Sequence, residues 1–207
     1  AFFVRYNMGS SYVARRGIGD CMLHRMEKVL IAYSTLSGCT TTIAKRIGTD
    51  FIAYGVRPQV VSVEEMPTIP SDIDAVVFGS GVRMGKFHKE ARDWLTANAE
   101  FLDKHPLALF SVGLRAASPQ TEGLAERDLD TVMHETAHGL HPKASVVFPG
   151  WKRTEGFTNM EKLALRVYPL AEGDYRDWDK VDAWVRGTAP LMLGRGPKVR
   201  LIPMRKY

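Results

Sequence analysis

The chain has 207 residues, enough for one domain with a substantial core, and its composition is that of an ordinary globular protein. Its longest apolar runs have the length of strands and fall far short of the roughly 20 residues that a membrane span needs. The net charge of +5 belongs to the two ends: residues 1–25 carry +3, residues 195–207 carry +5, and the body between them carries −3. A nucleic-acid-binding protein needs a basic face on its folded body, so this composition argues against a nucleic-acid partner.

The domain is predicted to span residues 26–194. Residues 1–25 show neither a hydrophobic period nor the apolar core of a signal peptide, and Met26 leads directly into the first apolar run. We therefore expect residues 1–25 to be a disordered extension outside the fold and residues 195–207 to be a basic tail.

The two cysteines give a weak indication of compartment. Cys21 and Cys39 have no metal-ligand spacing and form no disulfide framework, which favours a reducing environment. The expected location is the cytoplasm. The basic tail allows at most peripheral contact with the inner face of a membrane.

Strands and helices are predicted to alternate along the body. Short apolar runs predict five strands, at residues 29–33, 59–63, 75–78, 107–112 and 144–148. Helical spacing of apolar residues predicts helices at 41–54, 87–95, 127–138 and 178–185. Such alternation implies parallel strands joined by right-handed helical crossovers. The predicted fold class is α/β, a doubly wound five-stranded parallel sheet with helices on both faces.

Ligands of such a sheet bind beyond the carboxyl ends of its strands, which directs attention to loops 34–40, 79–88 and 111–120. The first of these is rich in hydroxyl groups and carries no charge; it consists of Ser34, Thr35, Leu36, Ser37, Gly38, Cys39 and Thr40. Unpaired amides at a helix N-terminus suit a phosphate, and hydroxyls add further donors. The loop matches neither a P-loop nor a Rossmann turn. It predicts a phosphate site, the alternative being a simple capped turn.

This loop resembles the phosphate signature of flavodoxins, in which Thr/Ser-x-Thr/Ser-Gly-x-Thr follows the first strand. Residues 79–88, Gly-Ser-Gly-Val-Arg-Met-Gly-Lys-Phe-His, are similar to the second FMN loop of the menaquinone-dependent protoporphyrinogen IX dehydrogenases. Residues 110–114, Phe-Ser-Val-Gly-Leu, resemble a third motif of that family. The resemblance covers about residues 26–187 and includes Gly150 with the aromatic and basic residues that follow it.

The resemblance implies a flavodoxin-like fold and FMN as the cofactor. Beyond the first loop, the residues that it implies for FMN binding are Ser80, Gly81, Val82, Arg83, Gly85, Ser111, Val112 and Gly113. The family has tyrosine where Met84 and Phe87 stand, so stacking on the flavin ring would rest on Phe87 or be weaker.

The implied activity is that of an FMN-dependent oxidoreductase that oxidises protoporphyrinogen IX to protoporphyrin IX and passes electrons to a quinone or another acceptor. Arg83 is the candidate for steering an anionic substrate, and no general base is assigned. The second hypothesis is a flavodoxin-type electron carrier. The expected partner is accordingly either a porphyrinogen-like small molecule or a redox protein.

A competing motif lies at residues 134–138, His-Glu-Thr-Ala-His, which formally matches the zinc-binding pattern of metallopeptidases. On a helix, His134 and His138 would share a face, with Glu135 as the base. Pro142 and the fifth strand follow at once, and the helix would cover a face of the sheet instead of lining a cleft. We therefore expect no metal site and retain zinc peptidase activity as a remote alternative.

We predict that His134→Ala leaves flavin binding unchanged and that the purified protein holds no stoichiometric zinc. Elemental analysis together with flavin titration tests both statements. One zinc per chain, with peptidase activity abolished by Glu135→Gln, would establish the metallopeptidase alternative instead.

Overall fold

The computed structural model describes residues 27–83, 85–136, 139–153 and 170–196, together with the backbone of residues 5–6. The strands are β1 (Arg5–Tyr6), β2 (Lys28–Ser34), β3 (Arg57–Ser62), β4 (Ala75–Arg83), β5 (Lys86–Phe87), β6 (Leu107–Gly113), β7 (Ala144–Pro149), β8 (Trp151–Lys152) and β9 (Gly173–Asp174). The α-helices are α1 (Cys39–Phe51), α2 (Lys89–Ala97), α3 (Ala99–Lys104), α4 (Glu122–Thr136) and α5 (Trp178–Leu193). None of these described helices combines the length and the apolarity needed to cross a membrane.

Five parallel strands form the sheet in the spatial order β3-β2-β4-β6-β7. The predicted doubly wound parallel sheet is therefore confirmed. The strand β4 runs on to Arg83, five residues beyond its predicted end, because its last residues pair antiparallel with β5. A second short antiparallel pair, β8 with β9, stands outside the main sheet.

Both faces of the sheet are buried, and successive residues of the central strand β2 serve opposite faces. Val29 and Ile31 join the core formed with α1 and α5, whereas Leu30 and Ala32 join the core formed with α2, α3 and α4. All four side chains are at most 1% exposed. This two-sided burial explains why β2 reads as an uninterrupted apolar run instead of an alternating one.

The four predicted helices are present with shifts at their ends, and the short helix α3 was not predicted. A 3₁₀ turn, Ile52–Tyr54, follows α1, and Gly55 ends it at a φ of 70°. The helix α2 begins only at Lys89, because Phe87 belongs to β5. The helix α4 begins at Glu122, ahead of the predicted start, because a turn stabilised by the Glu122 N–H bond to the Ser118 carbonyl leads into it. Residues 137–138 lie outside the described part.

The N-terminal extension was predicted to lie outside the fold. The structure pairs Arg5–Tyr6 antiparallel with the edge strand β7, opposite Ser145 and Ala144. This pair places a short strand on the sheet edge within the extension. For the rest of residues 1–25 and for most of the basic tail, which fall outside the described residues, the expectation stays a prediction.

An arginine links the two helices that cover one face of the sheet. In α1, Arg46 donates from Nε to Asp50 Oδ1 at 3.1 Å and from its terminal nitrogen to Asp182 Oδ2 of α5 at 2.6 Å. Burial raises the pKa of Asp50 from 3.8 to about 6; Arg46 opposes this rise and the neighbouring carboxylate of Asp182 adds to it. One arginine thus faces two acids, of which Asp50 holds its proton more tightly in the folded state than in the unfolded chain.

We predict that Asp50→Asn stabilises the protein above pH 6 by about 1 kcal/mol. Because the folded-state pKa of Asp50 is raised, its stabilising contribution is present at about pH 4 and is lost as the pH rises through about 6. Asparagine does not ionise, so the variant should gain stability over the wild type only on the alkaline side. Denaturant unfolding at about pH 4 and pH 8 measures the difference.

The control for this experiment is Asp103→Asn, which changes an exposed carboxylate on α3. A stability difference for Asp50→Asn that is the same at both pH values would contradict the prediction.

Candidate functional site

A cavity of about 720 Å³, open to solvent, lies at the carboxyl edge of the sheet. Its walls come from the loop after β2, the end of β4, the end of β6 and the segment that follows β7. The parallel register places this cavity where a doubly wound sheet binds its ligands.

One wall is the start of α1, where Gly38 adopts the left-handed conformation with a φ of 80°. Thr35 Oγ1 accepts a hydrogen bond from the Gly38 N–H at 3.0 Å and so fixes the turn. The first bond of the helical ladder is made by the Thr42 N–H to the Gly38 carbonyl, at 3.4 Å. The helix has no side-chain cap and no acidic residue in its first turn. Its leading amides therefore remain suited to an anionic ligand.

The opposite wall is the end of β4, packed against a histidine. A Cβ added to Gly81 would lie 2.9 Å from His88 Cε1 and 3.6 Å from Thr40 Oγ1, so only glycine fits between these two side chains. Burial lowers the pKa of His88; Glu90 opposes this effect and Arg83 adds to it. The imidazole is therefore held neutral at neutral pH beside the cavity.

The third wall is formed by the antiparallel pair of β8 and β9, called the hairpin below. Its Trp151 side chain lies against Gly38, in the loop after β2. A Cβ at Gly38 would lie 3.7 Å from Trp151 Cζ2. The guanidinium carbons of Arg153 and Arg176 lie 4.1 Å and 4.7 Å from the centre of the Trp151 ring. Lys152 is buried and donates to the Leu170 carbonyl at 2.8 Å, which ties the hairpin together.

Cys39 is the first residue of α1 and lines the cavity, but its thiol is not activated. Burial raises its pKa from 9.0 to about 11, against smaller opposing effects from a hydrogen bond with the Trp151 backbone and from nearby Arg176. Desolvation therefore outweighs any lowering of the thiol pKa by the helix N-terminus. The thiol is therefore a packing group in this wall.

Most of the residues predicted from sequence meet at this cavity. Those that line it are Thr35, Leu36, Ser37, Cys39, Thr40, Gly81, Val82, Arg83, Val112 and Gly113. They derive from three loops that are far apart in sequence and that the register of β2, β4 and β6 brings together.

Five predicted residues do not line the cavity. Ser34, Ser80 and Ser111 are opposite one another on β2, β4 and β6 and are all buried. Ser80 Oγ donates to the Gly81 carbonyl at 3.0 Å. Gly38 supports the turn through its backbone, and a Cβ at Gly85 would face Asp128 of α4.

Further lining residues were not among the predicted binding set: His88, Leu114, Gly150, Trp151, Lys152 and Arg153. The last four follow β7, whose loop was not among those predicted to form the site. The aromatic and basic residues after Gly150 were the available signal, because the carboxyl end of β7 lies at the same edge as those of β4 and β6.

Stacking on the flavin ring was expected either to rest on Phe87 or to be weaker, and the structure contradicts the first alternative. Phe87 is 2% exposed and packs against Phe78 at a centroid distance of 6.0 Å, within the core on the far face of the sheet. Met84 lies outside the described residues. Among the described residues that line the cavity, Trp151 is the large aromatic side chain.

The zinc hypothesis receives no support from the part of the chain that the structure describes. His138 lies outside that part, so its position relative to His134 is not described. Among the described residues, no group of three or more His, Cys, Asp or Glu side chains is placed to hold a metal ion.

The sequence matches the Flavodoxin domain family over residues 30–179, most of the body. This chain belongs to the flavodoxin-domain family. Protoporphyrinogen IX dehydrogenase [quinone] of Escherichia coli (strain K12) is 26% identical over 175 residues, which cover 79% of this chain and 96% of the relative. The cofactor predicted for the chain, FMN, is the cofactor of the flavodoxin family.

Solved flavodoxin structures are also similar. A flavodoxin from the domain Archaea has a TM-score of 0.48 and 14% identity, covering 78% of this chain and 96% of its own. A Fusobacterium nucleatum flavodoxin mutant bound to flavin mononucleotide has a TM-score of 0.42 and 14% identity, covering 77% of this chain and 94% of its own.

The residues present fit FMN. The uncapped first turn of α1 suits a phosphate, and Ser37 and Thr40 add hydroxyl groups beside it. The apolar side chains of Val82, Val112 and Leu114 line the same cavity and suit a flat ring. The cavity is therefore polar at the loop after β2 and apolar along the ends of β4 and β6.

We predict that Thr40→Val weakens FMN binding by about 1–3 kcal/mol, because the buried hydroxyl of Thr40 would lose its bond to a phosphate oxygen. Flavin fluorescence titration gives the dissociation constant. The matched control is Thr49→Val on the same helix, where the exposed hydroxyl donates to the Lys45 carbonyl and the affinity should not change. An unchanged constant in Thr40→Val would remove this side chain from the site.

Proposed function

We propose that the cavity binds FMN and that the chain is an FMN-dependent oxidoreductase acting on an anionic organic substrate, with protoporphyrinogen IX as the candidate. Membership of the flavodoxin-domain family supports the cofactor. The relative from Escherichia coli, named as a protoporphyrinogen IX dehydrogenase, supports the choice of substrate.

The phosphate of FMN is assigned to the amides of the first turn of α1, with Thr35, Ser37 and Thr40 around it. The flavin ring is assigned to the space between residues 81–83 at the end of β4 and residues 112–114 at the end of β6. This placement puts the charged group at the helix dipole and the apolar ring against apolar side chains. It leaves the outer part of the cavity for a substrate.

The observation that carries the proposal is the combination of apolar and cationic groups around this cavity. Val82, Val112 and Leu114 are apolar, whereas Arg83 and Arg153 bring guanidinium groups from two different walls. A porphyrinogen presents the matching combination of an apolar macrocycle and carboxylate side chains. Arginine pairs well with carboxylates because its planar donors match both oxygens.

The bound cofactor supplies the electron acceptance, and the residues of the chain supply binding and orientation. Arg83 attracts a carboxylate toward the cavity and thereby fixes how the substrate approaches. Partial burial lowers the pKa of His88 and keeps it neutral, so it places no positive charge against the bound ligand. No residue is assigned as a general base.

The direct test mixes the oxidised protein with protoporphyrinogen under anaerobic conditions. We expect the flavin absorbance to bleach while porphyrin fluorescence rises. Membership of a flavodoxin family also fits an electron carrier, and the same experiment separates the two. A flavin that stays oxidised with porphyrinogen, yet is reduced by a flavodoxin reductase and passes electrons onward, would establish the carrier.

We predict that Arg83→Ala lowers kcat/KM for the porphyrinogen about tenfold or more without releasing FMN, because it removes a charged partner of the substrate alone. Steady-state kinetics and a flavin titration on the same preparation measure the two effects. The control is Arg57→Ala, which removes an arginine at the amino end of β3, the end of the sheet opposite the cavity. Loss of FMN from Arg83→Ala would reassign this residue to cofactor binding.

A further inference from the structure

The hairpin after β7 brings an indole ring against the loop assigned to the phosphate. The strand β8 pairs antiparallel with β9, with Trp151 opposite Asp174 and Lys152 opposite Gly173. The Tyr175 N–H donates to the Gly150 carbonyl at 3.1 Å and closes the base of the hairpin. Trp151 then extends to within 3.7 Å of the position that a Cβ on Gly38 would occupy.

Arg176 packs against the Trp151 ring and holds it in position. Its guanidinium lies 4.7 Å from the centre of the Trp151 ring and 4.8 Å from the centre of the Trp178 ring. It donates to Thr42 Oγ1 in the first turns of α1 at 2.7 Å and forms an ion pair with Asp174. Its side chain is only 14% exposed. A single arginine therefore connects the hairpin, the first residue of α5 and the start of α1.

Arg153 differs from Arg176 in what neutralises it. Arg176 donates from Nε and from one terminal nitrogen to the two carboxylate oxygens of Asp174. Arg153 is exposed, lines the cavity and makes no ion pair with any described residue. Its guanidinium rests over the Trp151 ring at 4.1 Å, which holds the charge near the loop.

The loop after β2 contains no charged side chain, whereas a phosphate monoester carries about −1.5 to −2 charges at neutral pH. The partial charge at a helix N-terminus is roughly +0.5 and does not balance this. The structure places Arg153, more than a hundred residues further along the chain, in the lining of the same cavity and against Trp151, whose ring neighbours Gly38.

We propose that Arg153 binds the phosphate of the cofactor and that Trp151 and Arg176 position it, so that the hairpin after β7 is a cationic cap on the phosphate site. This inference rests on the proposed function, because it takes FMN as the ligand of the cavity. Arg153 is a binding residue in this scheme, and Arg176 is a positioning residue that acts through Trp151.

Riboflavin, which lacks the phosphate, isolates the predicted effect. In the full-length protein stripped of flavin, Arg153→Gln should weaken FMN binding about tenfold or more, the size expected for a charge-assisted hydrogen bond. Riboflavin binding should stay at the wild-type value. The matched control is Arg57→Gln, which removes the same charge at the opposite end of the sheet and should change neither constant. Equal losses for FMN and riboflavin, or no loss for either, would overturn the role of Arg153.

Arg176→Lys tests the positioning role separately. Lysine keeps the charge but loses the planar stacking surface that lies over the two indole rings. We expect the preference for FMN over riboflavin to fall, together with a change in the near-ultraviolet circular dichroism of the tryptophans. A variant that keeps the wild-type preference would show that Arg176 does not position the cap.

Inorganic phosphate alone separates this inference from the proposed function. It should raise the melting temperature of the flavin-free wild-type protein, and it should not do so in Arg153→Gln. If FMN failed to bind while phosphate still discriminated between these two proteins, the proposed function would fall and the cationic cap would stand. If FMN bound the wild type and Arg153→Gln equally well, the cap would fall and the proposed function would stand.

Discussion

Everything at the site depends on the parallel alignment of β2, β4 and β6. Their register sets Ser34, Ser80 and Ser111 side by side, so the loops that follow all leave the sheet at one edge. The two-sided apolar core keeps these strands in place: one helical layer covers each face, and the central strands are almost completely buried. A shift of one residue in any of these strands would turn its side chains to the other face and misplace its loop.

The start of α1, which follows β2 at this edge of the sheet, leaves its first backbone amides available to the cavity. Thr35 holds the turn at Gly38, yet no side chain caps the helix. In many helices a neighbouring Ser, Thr, Asn or Asp would satisfy one of these amides. Here no side chain of the hydroxyl-rich loop caps the helix, so these amides remain available to a ligand in the cavity. Trp151 of the β8–β9 hairpin lies against the same turn, at Gly38. Under the proposed cap, an anion bound there would meet the amides of α1 on one side and the guanidinium of Arg153 on the other.

The distribution of charge in the cavity bears on which kind of redox protein this is. The body of the chain is only mildly acidic, with a net charge of −3. The cavity itself is lined by Arg83 and Arg153, and Arg176 lies behind it. A carrier steered to basic protein partners would be expected to show an acidic face around its cofactor. The proposed oxidoreductase role therefore rests on Arg83 at the end of β4, because Arg153 is assigned to the phosphate of the cofactor.

The amino-acid sequence by itself determined the strand and helix order, the fold class and the three loops after β2, β4 and β6, because hydrophobic period and turn chemistry are local properties. It also predicted a phosphate site at residues 34–40, and the resemblance of that motif to flavodoxins implied FMN. Only the tertiary structure decided which side chains surround the cavity. Phe87 lies in the core because β5 pairs with the end of β4. Trp151 lies at the site because the pairing of β8 with β9 places its ring against Gly38. Pairing between residues 151–152 and 173–174 leaves no periodic trace in the sequence, so the basic residues after Gly150 were visible in the sequence but their position at the cavity was decided by the tertiary structure.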